Sequence, residues 1–279
     1  MFIDIQPGKK VFESKPDWKL TDLKNVLGTW MTYMQEHDGW DSLYIENHDQ
    51  PRVVQRWASG APEHRVNSAK MLAIFHATGR GTIFIYQGQE MGAVNPASWT
   101  YEELRDLEEI NWYNFHKDLR PEGTDMSDVL ASIQTHGRDN ARTVVAWDDT
   151  PNGGFTTGKP WIKVNEDYKE YNVAAQEGKE GSVLEFWKTL LKIRKANPAL
   201  VYGYLKLLDE PNEQVYAYTR TDDKGEYLVA CNFSGEEVKW KSPVKAGKLL
   251  IGSLEGKVEE EVDELVLRPY EGRIYFKKA

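Results

Sequence analysis

The sequence predicts an α/β segment followed by a smaller all-β domain. Residues 1–202 alternate short apolar strands with amphipathic helices, whereas residues 203–279 consist of short strands separated by turns. Polar residues collect directly after strands of the first segment, where parallel α/β barrels place their active sites. We therefore predict part of a parallel barrel over residues 1–202 and an antiparallel β domain over residues 203–279, with a doubly wound sheet as the alternative to the barrel.

The first segment opens with a short strand and a helix. Residues 2–5 are predicted to form the strand. Between residues 18 and 34, apolar side chains recur at three- and four-residue steps, which predicts a helix with one apolar face, and Thr21 is placed to cap it. The run SLYIE, residues 42–46, is dense in apolar and aromatic side chains and is typical of a buried strand.

The same order then repeats. Residues 66–76 have the apolar spacing of a helix, which Gly79 and Gly81 close before a second buried strand at residues 82–86. A polar cluster follows each strand, at residues 46–52 and at residues 87–90. Such carboxylate, imidazole and guanidinium groups can bind sugar hydroxyls or stabilise a cationic transition state, and a plain surface turn is the alternative.

A long polar excursion separates this unit from the next helix. Residues 95–180 are rich in Asp, Glu, Asn, Gly and Trp, with one predicted helix at residues 101–107. Ser182 and Glu185 form a capping-box pattern, and the apolar spacing after them predicts a helix that ends near Ala196, before Pro198. The strands predicted for the β domain are residues 214–219, 226–233, 237–240, 248–251, 265–267 and 273–276.

Charge and composition exclude several classes of function. The 35 Lys and Arg residues against 44 Asp and Glu residues give a net charge of −9, and an acidic surface repels nucleic acids and anionic membranes. No apolar stretch approaches the roughly 20 residues that span a bilayer, and no export signal is recognisable, so a soluble, cytoplasmic protein is predicted. Cys231 is the only cysteine, and no zincin, P-loop or Rossmann motif occurs. We predict neither a cofactor nor a metal.

The string ENHDQPR at residues 46–52 resembles the fourth signature region of the α-amylase superfamily, glycoside hydrolase family 13. Three further strings resemble its α-glucosidase and oligo-1,6-glucosidase branch and follow in matching order: HRVNSAKMLA at 64–73, GTIFIYQGQEMG at 81–92 and GRDNART at 137–143. The resemblance covers nearly the whole chain. It implies a (β/α)8 barrel that carries the catalytic site, followed by a β-sandwich C domain. In that register residues 2–5, 43–46 and 83–86 are the sixth, seventh and eighth barrel strands.

The resemblance also implies roles for individual side chains. Asp49 matches the carboxylate that stabilises the transition state, and His48 matches the histidine that holds glucose hydroxyls beside the cleaved bond. Arg138 matches an arginine placed against the hydroxyls of the non-reducing glucose, with Arg142 as the alternative. Arg52 is expected to fix its loop through an ion pair rather than to contact sugar.

Two other positions need separate treatment. Relatives continue GRDNART with Pro-Met-Gln-Trp, whereas residues 144–147 here read VVAW, which puts contacts to the leaving group in question. Glu90 resembles a glutamate at the barrel mouth, for which we expect a supporting hydrogen-bonding role rather than catalysis.

The resemblance further implies that the nucleophile and the general acid are missing. A retaining glycosidase uses two carboxyl groups roughly 5 to 5.5 Å apart, and in this family they follow the fourth and fifth barrel strands. The residues before Glu46 contain no Gly-x-Arg-x-Asp string. We therefore expect a truncated α-glucosidase, inactive alone, that acts on maltose- or isomaltose-type oligosaccharides with the missing N-terminal half of the barrel as its partner. The alternative is a non-catalytic carbohydrate-binding or interaction protein built on the same fold.

Overall fold

The computed structural model describes Phe12 and residues 18–279. The helices are α1 (Leu20–Glu36), α2 (Val53–Trp57), α3 (Pro62–Thr78), α4 (Leu107–Asp118), α5 (Ser127–His136), α6 (Asp139–Arg142), α7 (Val173–Gln176), α8 (Val183–Ala196) and α9 (Ala199–Tyr202). The strands are β1 (Ser42–Leu43), β2 (Thr82–Ile83), β3 (Tyr204–Leu208), β4 (Val215–Asp222), β5 (Gly225–Asn232), β6 (Val238–Lys241), β7 (Lys248–Gly252), β8 (Glu264–Leu267) and β9 (Gly272–Lys278). The strand predicted at residues 2–5 lies outside the described residues.

β1 and β2 form a short parallel sheet in the barrel segment. Ser42 pairs with Thr82 and Leu43 with Ile83, and a long helix, α1 or α3, precedes each strand in the chain. The ladder is shorter than the strands predicted at residues 42–46 and 82–86. Within the described residues each strand has only the other as a neighbour, so few backbone groups find a partner and the barrel is not closed.

α1 has the predicted apolar face but not the predicted cap. Its buried apolar residues are Leu20, Leu23, Leu27 and Met31. Thr21 lies inside the first turn, so the prediction that it caps the helix is wrong: its hydroxyl donates to Glu213 Oε1 at 2.7 Å. At the helix start, the amide of Lys19 donates to the Asp22 carboxylate at 3.1 Å.

α3 is covered on most of its sides. The helix predicted over residues 66–76 is confirmed, and residues 68–78 are all buried because α8 packs on one side and β5 and β9 on another. After the helix, Gly81 has φ +148°, and a Cβ at this position would lie 2.7 Å from the Asp41 carbonyl oxygen. Only glycine fits there.

No helix in residues 18–279 combines the length and apolar character needed to cross a membrane.

The polar excursion is more helical than predicted. The helix predicted at residues 101–107 is wrong, because Tyr101–Glu103 is a single 3-10 turn and α4 begins only at Leu107. The Asp106 carboxylate caps α4 by accepting the amides of Glu108 and Glu109. The excursion packs around a separate apolar cluster whose buried members are Phe12, Trp99, Leu104, Val129, Ile133, Val144 and Ile162.

Ser182 caps α8, but the predicted capping box is only half formed. Ser182 Oγ accepts the amide of Glu185 at 3.2 Å. Glu185 Oε1 accepts the amide of Gly178 at 2.8 Å and pairs with Lys188 instead of returning to the Ser182 backbone. Glu185 therefore ties the preceding loop to the helix.

We expect Ser182→Ala to lower the free energy of unfolding by about 1 kcal/mol, because the Glu185 amide in the first turn of α8 loses its acceptor. Urea unfolding followed by circular dichroism measures the change. Ser182→Thr keeps an acceptor at the same position and is the matched control, expected to lose less. An Ala variant as stable as the Thr variant would show that the cap contributes nothing.

The C-terminal strands form the expected antiparallel β-sandwich. One sheet has the strand order β3-β4-β5-β9-β7, and β6 pairs with β8 in the second. Each strand predicted for this domain is confirmed, and β3 is an additional one. The core between the sheets includes Leu208, Val215, Leu228, Trp240 and Leu265.

The other face of the five-stranded sheet packs on the barrel helices. Its residues in the cluster shared with α1, α3 and α8 include Tyr216, Tyr218, Val229 and Ile274. Tyr218 Oη lies 2.6 Å from Thr78 Oγ1 and donates to the Phe75 carbonyl at 3.1 Å. A single apolar core thus runs across both segments, and the boundary between residues 202 and 203 stays a prediction.

Two buried arginines fasten this junction. Arg220 on β4 donates to the carbonyls of Thr78, Leu200, Val201 and Gly203. Arg194 on α8 donates to the carbonyls of Ala77, Gly79, Gly81 and Leu200. These carbonyls lie at or just after the C-terminal ends of α3 and α9, where backbone oxygens lack a partner inside the helix and favour a positive charge.

Candidate functional site

A buried ion pair fixes the loop after β1. Arg52 Nη1 donates to Glu46 Oε1 at 2.6 Å and to the Gln87 carbonyl at 2.7 Å. Glu46 Oε2 accepts the amide of Val53 at 3.1 Å. The loops that follow β1 and β2 are therefore joined below the surface, and the ion pair expected for Arg52 is confirmed.

Asp49 and His48 lie in this loop, where solvent reaches them. The Asn47 side chain accepts the amide of Asp49 at 2.8 Å, which sets the local turn. His48 Nε2 lies 3.2 Å from Asp49 Oδ2, and the side chains are 67% and 28% exposed. Asp49 is thus sheltered on one side, whereas the imidazole projects into the open space in front of the loop.

Arg138 and Arg142 approach the same oxygen of Asp49. Arg138 Nη1 lies 3.6 Å and Arg142 Nη2 3.4 Å from Asp49 Oδ1. Arg142 is the last residue of α6 and Arg138 directly precedes its first residue, so one short helix carries both side chains towards the loop. Arg142 Nε also donates to the His48 carbonyl at 3.0 Å. The structure therefore brings all four predicted site residues together.

Asp106, which the sequence analysis missed, holds both arginines. Its Oδ1 accepts from Arg138 Nη2 at 2.9 Å and its Oδ2 from Arg142 Nη1 at 2.6 Å. Burial by itself raises the pKa of Asp106, but the hydrogen bonds from the two arginines outweigh it and leave the pKa below its ordinary value. Asp106 is consequently a carboxylate near neutral pH.

The arrangement leaves one carboxylate available beside two fixed cations. Asp106 is 5% exposed and already engaged, while Arg138 Nη2 has a further partner in Glu108 Oε2 at 3.2 Å. Asp49 keeps its second oxygen facing His48 and the solvent. A carboxylate in this position can stabilise developing positive charge, and the guanidinium and imidazole groups around it can bind hydroxyls.

Glu90 and the VVAW segment, residues 144–147, are the remaining positions that the sequence singled out. Burial raises the pKa of Glu90. In the VVAW segment, Val144 and Ala146 are buried, whereas Trp147 is exposed. No group of three or more His, Cys, Asp or Glu side chains in the described part of the chain is arranged to hold a metal ion.

Comparisons with known proteins agree with the fold and identify relatives of this chain. The most similar relatives include an oligo-1,6-glucosidase of Parageobacillus thermoglucosidasius, 41% identical over 99% of this chain and 49% of the relative. An α-glucosidase of Schizosaccharomyces pombe is 35% identical over 87% of this chain and 42% of the relative. The chain therefore spans about half the length of these relatives.

Solved structures with a similar fold also match this chain over about half of their own length. A trehalulose synthase variant in complex with Tris matches with a TM-score of 0.91 and 34% identity over 99% of this chain and 50% of that one. An isomaltulose synthase variant from Erwinia rhapontici in complex with D-glucose matches with a TM-score of 0.88 and 33% identity over 95% of this chain and 47% of that one. The family described as "Maltogenic Amylase, C-terminal domain" matches residues 205–274, and "Alpha amylase, catalytic domain" matches residues 5–203. The expected resemblance is confirmed: this chain belongs to the α-amylase family.

Proposed function

We propose that this chain supplies the transition-state-stabilising and glucose-binding half of an α-glucosidase site. The observation that carries the proposal is Asp49, whose Oδ1 faces two guanidinium groups that Asp106 fixes from behind. The complete enzyme would release terminal α-linked glucose from maltose- or isomaltose-type oligosaccharides with retention. Relatives named oligo-1,6-glucosidase and α-glucosidase support this reaction, and a related structure in complex with D-glucose supports the sugar.

The proposed roles follow from the charges of the site. Cleavage of a glycosidic bond builds positive charge at the anomeric carbon and ring oxygen, which a fixed carboxylate such as Asp49 stabilises. His48 and Arg138 donate hydrogen bonds to glucose hydroxyls, with Arg142 as the alternative donor. Asp106 touches no substrate in this scheme, because both of its oxygens are occupied by the arginines.

The nucleophile and general acid would come from the N-terminal half of the barrel. The open sides of β1 and β2 are where further parallel strands would add, and closure would bring the missing carboxyl groups towards Asp49. The relatives named above are all enzymes, which gives no support to the non-catalytic alternative. A cytoplasmic location stays a prediction.

Reconstitution tests this function. We expect the purified chain to show no turnover of maltose, isomaltose or a nitrophenyl α-glucoside, because a retaining glycosidase needs a nucleophile and an acid. Adding the separately produced N-terminal half of the Parageobacillus oligo-1,6-glucosidase is expected to restore hydrolysis. Ordinary glucosidase turnover by the chain alone would contradict the division of roles, and a stable but inactive complex would contradict the proposed function.

A further inference from the structure

Two fully buried carboxyl groups, Glu109 on α4 and Asp139 on α6, lie next to Asp106, the residue that holds Arg138 and Arg142. Asp139 Oδ2 accepts the amides of Arg105 at 2.6 Å and Asp106 at 3.0 Å. Glu109 Oε1 accepts the amide of Asp139 at 2.8 Å. The two side chains therefore connect the backbone at Asp106 to the backbone next to Arg138, which are the two sides of the ion pair described above.

Each of these groups has one oxygen left over. Glu109 Oε2 and Asp139 Oδ1 are buried and have no hydrogen-bond partner. Neither residue forms an ion pair within the described residues, and the guanidinium groups of Arg138 and Arg142 pair with Asp106 instead. Two buried acids without a cation cannot both ionise at low cost, so the pair is expected to hold one proton.

The surrounding groups favour the same protonated state. Burial, and then the charges of Asp139 and Asp106, raise the pKa of Glu109 to about 8. From α5, the buried His136 adds no compensating charge near neutral pH, because burial lowers its pKa. Glu109 also packs closely against Gly137, since a Cβ at Gly137 would lie 2.6 Å from Glu109 Oε1.

We propose that Glu109 and Asp139 share one proton and act as positioning residues that hold Asp106, and through it the two arginines of the site, in place. Loss of the proton would put a second charge beside the Asp106 carboxylate and disturb the amides that the pair holds. Any consequence of this positioning for glucose binding by Arg138 and Arg142 rests on the proposed function. The shared proton and its effect on the arginines are properties of this chain alone.

Nuclear magnetic resonance of the isotopically labelled chain tests the proposal. The carboxyl carbon of Glu109 is expected to titrate with a midpoint near 8 instead of the ordinary 4.5. The Nε–H resonances of Arg138 and Arg142 are expected to shift with the same midpoint, while those of Arg120, which pairs with Asp128, do not. A Glu109 midpoint below neutrality, or arginine resonances that ignore the Glu109 transition, would overturn the proposal.

Two substitutions of Glu109 separate positioning from simple packing. Glu109→Gln keeps the acceptor for the Asp139 amide and supplies an N–H in place of the proton, so the arginine resonances should stay as in the unsubstituted chain and lose their alkaline transition. Glu109→Ala removes both groups and should shift these resonances at every pH. If Gln disturbs the arginines as much as Ala does, the proposal fails. Should Ala not fold, Asp139→Asn, which also replaces the proton by an amide N–H, should likewise abolish the alkaline transition of the arginine resonances, and a transition that persists in this variant would overturn the proposal.

Stability gives an independent measurement. The folded chain keeps the Glu109 proton between about pH 4.5 and 8 while the unfolded chain releases it, so the folding equilibrium constant should fall about tenfold per pH unit through this range from this group alone. Glu109→Gln should remove that part of the pH dependence, whereas Glu122→Gln at an exposed site should not. An unchanged slope in the Glu109 variant would contradict the shared proton. None of these measurements depends on hydrolysis, so a failed reconstitution leaves them standing.

Discussion

Asp49→Asn is expected to lower the turnover of the reconstituted glucosidase by about a thousandfold while leaving its assembly intact. The substitution keeps the size of the side chain and an oxygen for Arg138 and Arg142, which lie 3.6 and 3.4 Å from Oδ1. It removes the negative charge that would face the cationic transition state. Turnover of a nitrophenyl α-glucoside measures the effect, and size-exclusion chromatography measures the association of the two halves.

Asp223→Asn is the matched control for this prediction. Asp223 lies in the exposed turn between β4 and β5, far along the chain from the site, so the same chemical change should leave turnover unaltered. If the Asp49 variant associates normally and remains within a few-fold of the unsubstituted complex, Asp49 does not stabilise the transition state. If it fails to associate, the role of Asp49 is structural and the assignment is equally wrong.

Arg220→Met is expected to lower the free energy of unfolding by about 3 to 5 kcal/mol. The guanidinium group is fully buried and donates to the carbonyls of Thr78 and Leu200 at 2.6 and 3.0 Å, and also to Val201 and Gly203. Methionine fills much of the same volume but offers no donor, so these buried oxygens would lose their partner. Urea unfolding of the unsubstituted and variant chains measures the difference.

Arg120→Met is the appropriate comparison for Arg220. Arg120 pairs with Asp128 on the surface of the excursion, and exposed pairs contribute little to stability. An Arg220 variant that loses no more stability than the Arg120 variant would show that the carbonyls at the helix ends find other partners, and that the junction does not depend on this side chain.

Much of the fold could be predicted because its signals are local. The apolar face of α1, the spacing in α3 and α8, and the alternating strands of the C-terminal sheets are each visible in a short stretch of sequence. The sequence predicts the positions of β1 and β2 but overestimates their lengths, because a strand extends only where neighbouring strands supply hydrogen bonds. α4 was misplaced because Leu107 and Phe115 are exposed, so the helix has no clear apolar face.

The site was predicted only where its residues lie in the two short strings that resemble the family. Asp49, His48 and both arginines belong to ENHDQPR and GRDNART, and the structure places them together. Asp106 comes from the polar excursion, where a carboxylate before two glutamates indicates no more than a helix cap. Its hold on the arginines depends on how α4 packs beside α6, which no local pattern records.

The core shared by the five-stranded sheet and the barrel helices limits how this architecture can be recombined. A chain divided at Gly203 would uncover one whole face of the sheet, including Tyr216, Tyr218 and Ile274, and an apolar patch of that kind promotes aggregation. Grafting the C-terminal sheet onto another barrel would succeed only if the new helices presented an apolar surface of the same shape as that of α3 and α8. The exchangeable module is therefore the sheet together with those helices. A substitution on the sheet side of this contact must accordingly be compensated by a substitution on the helix side.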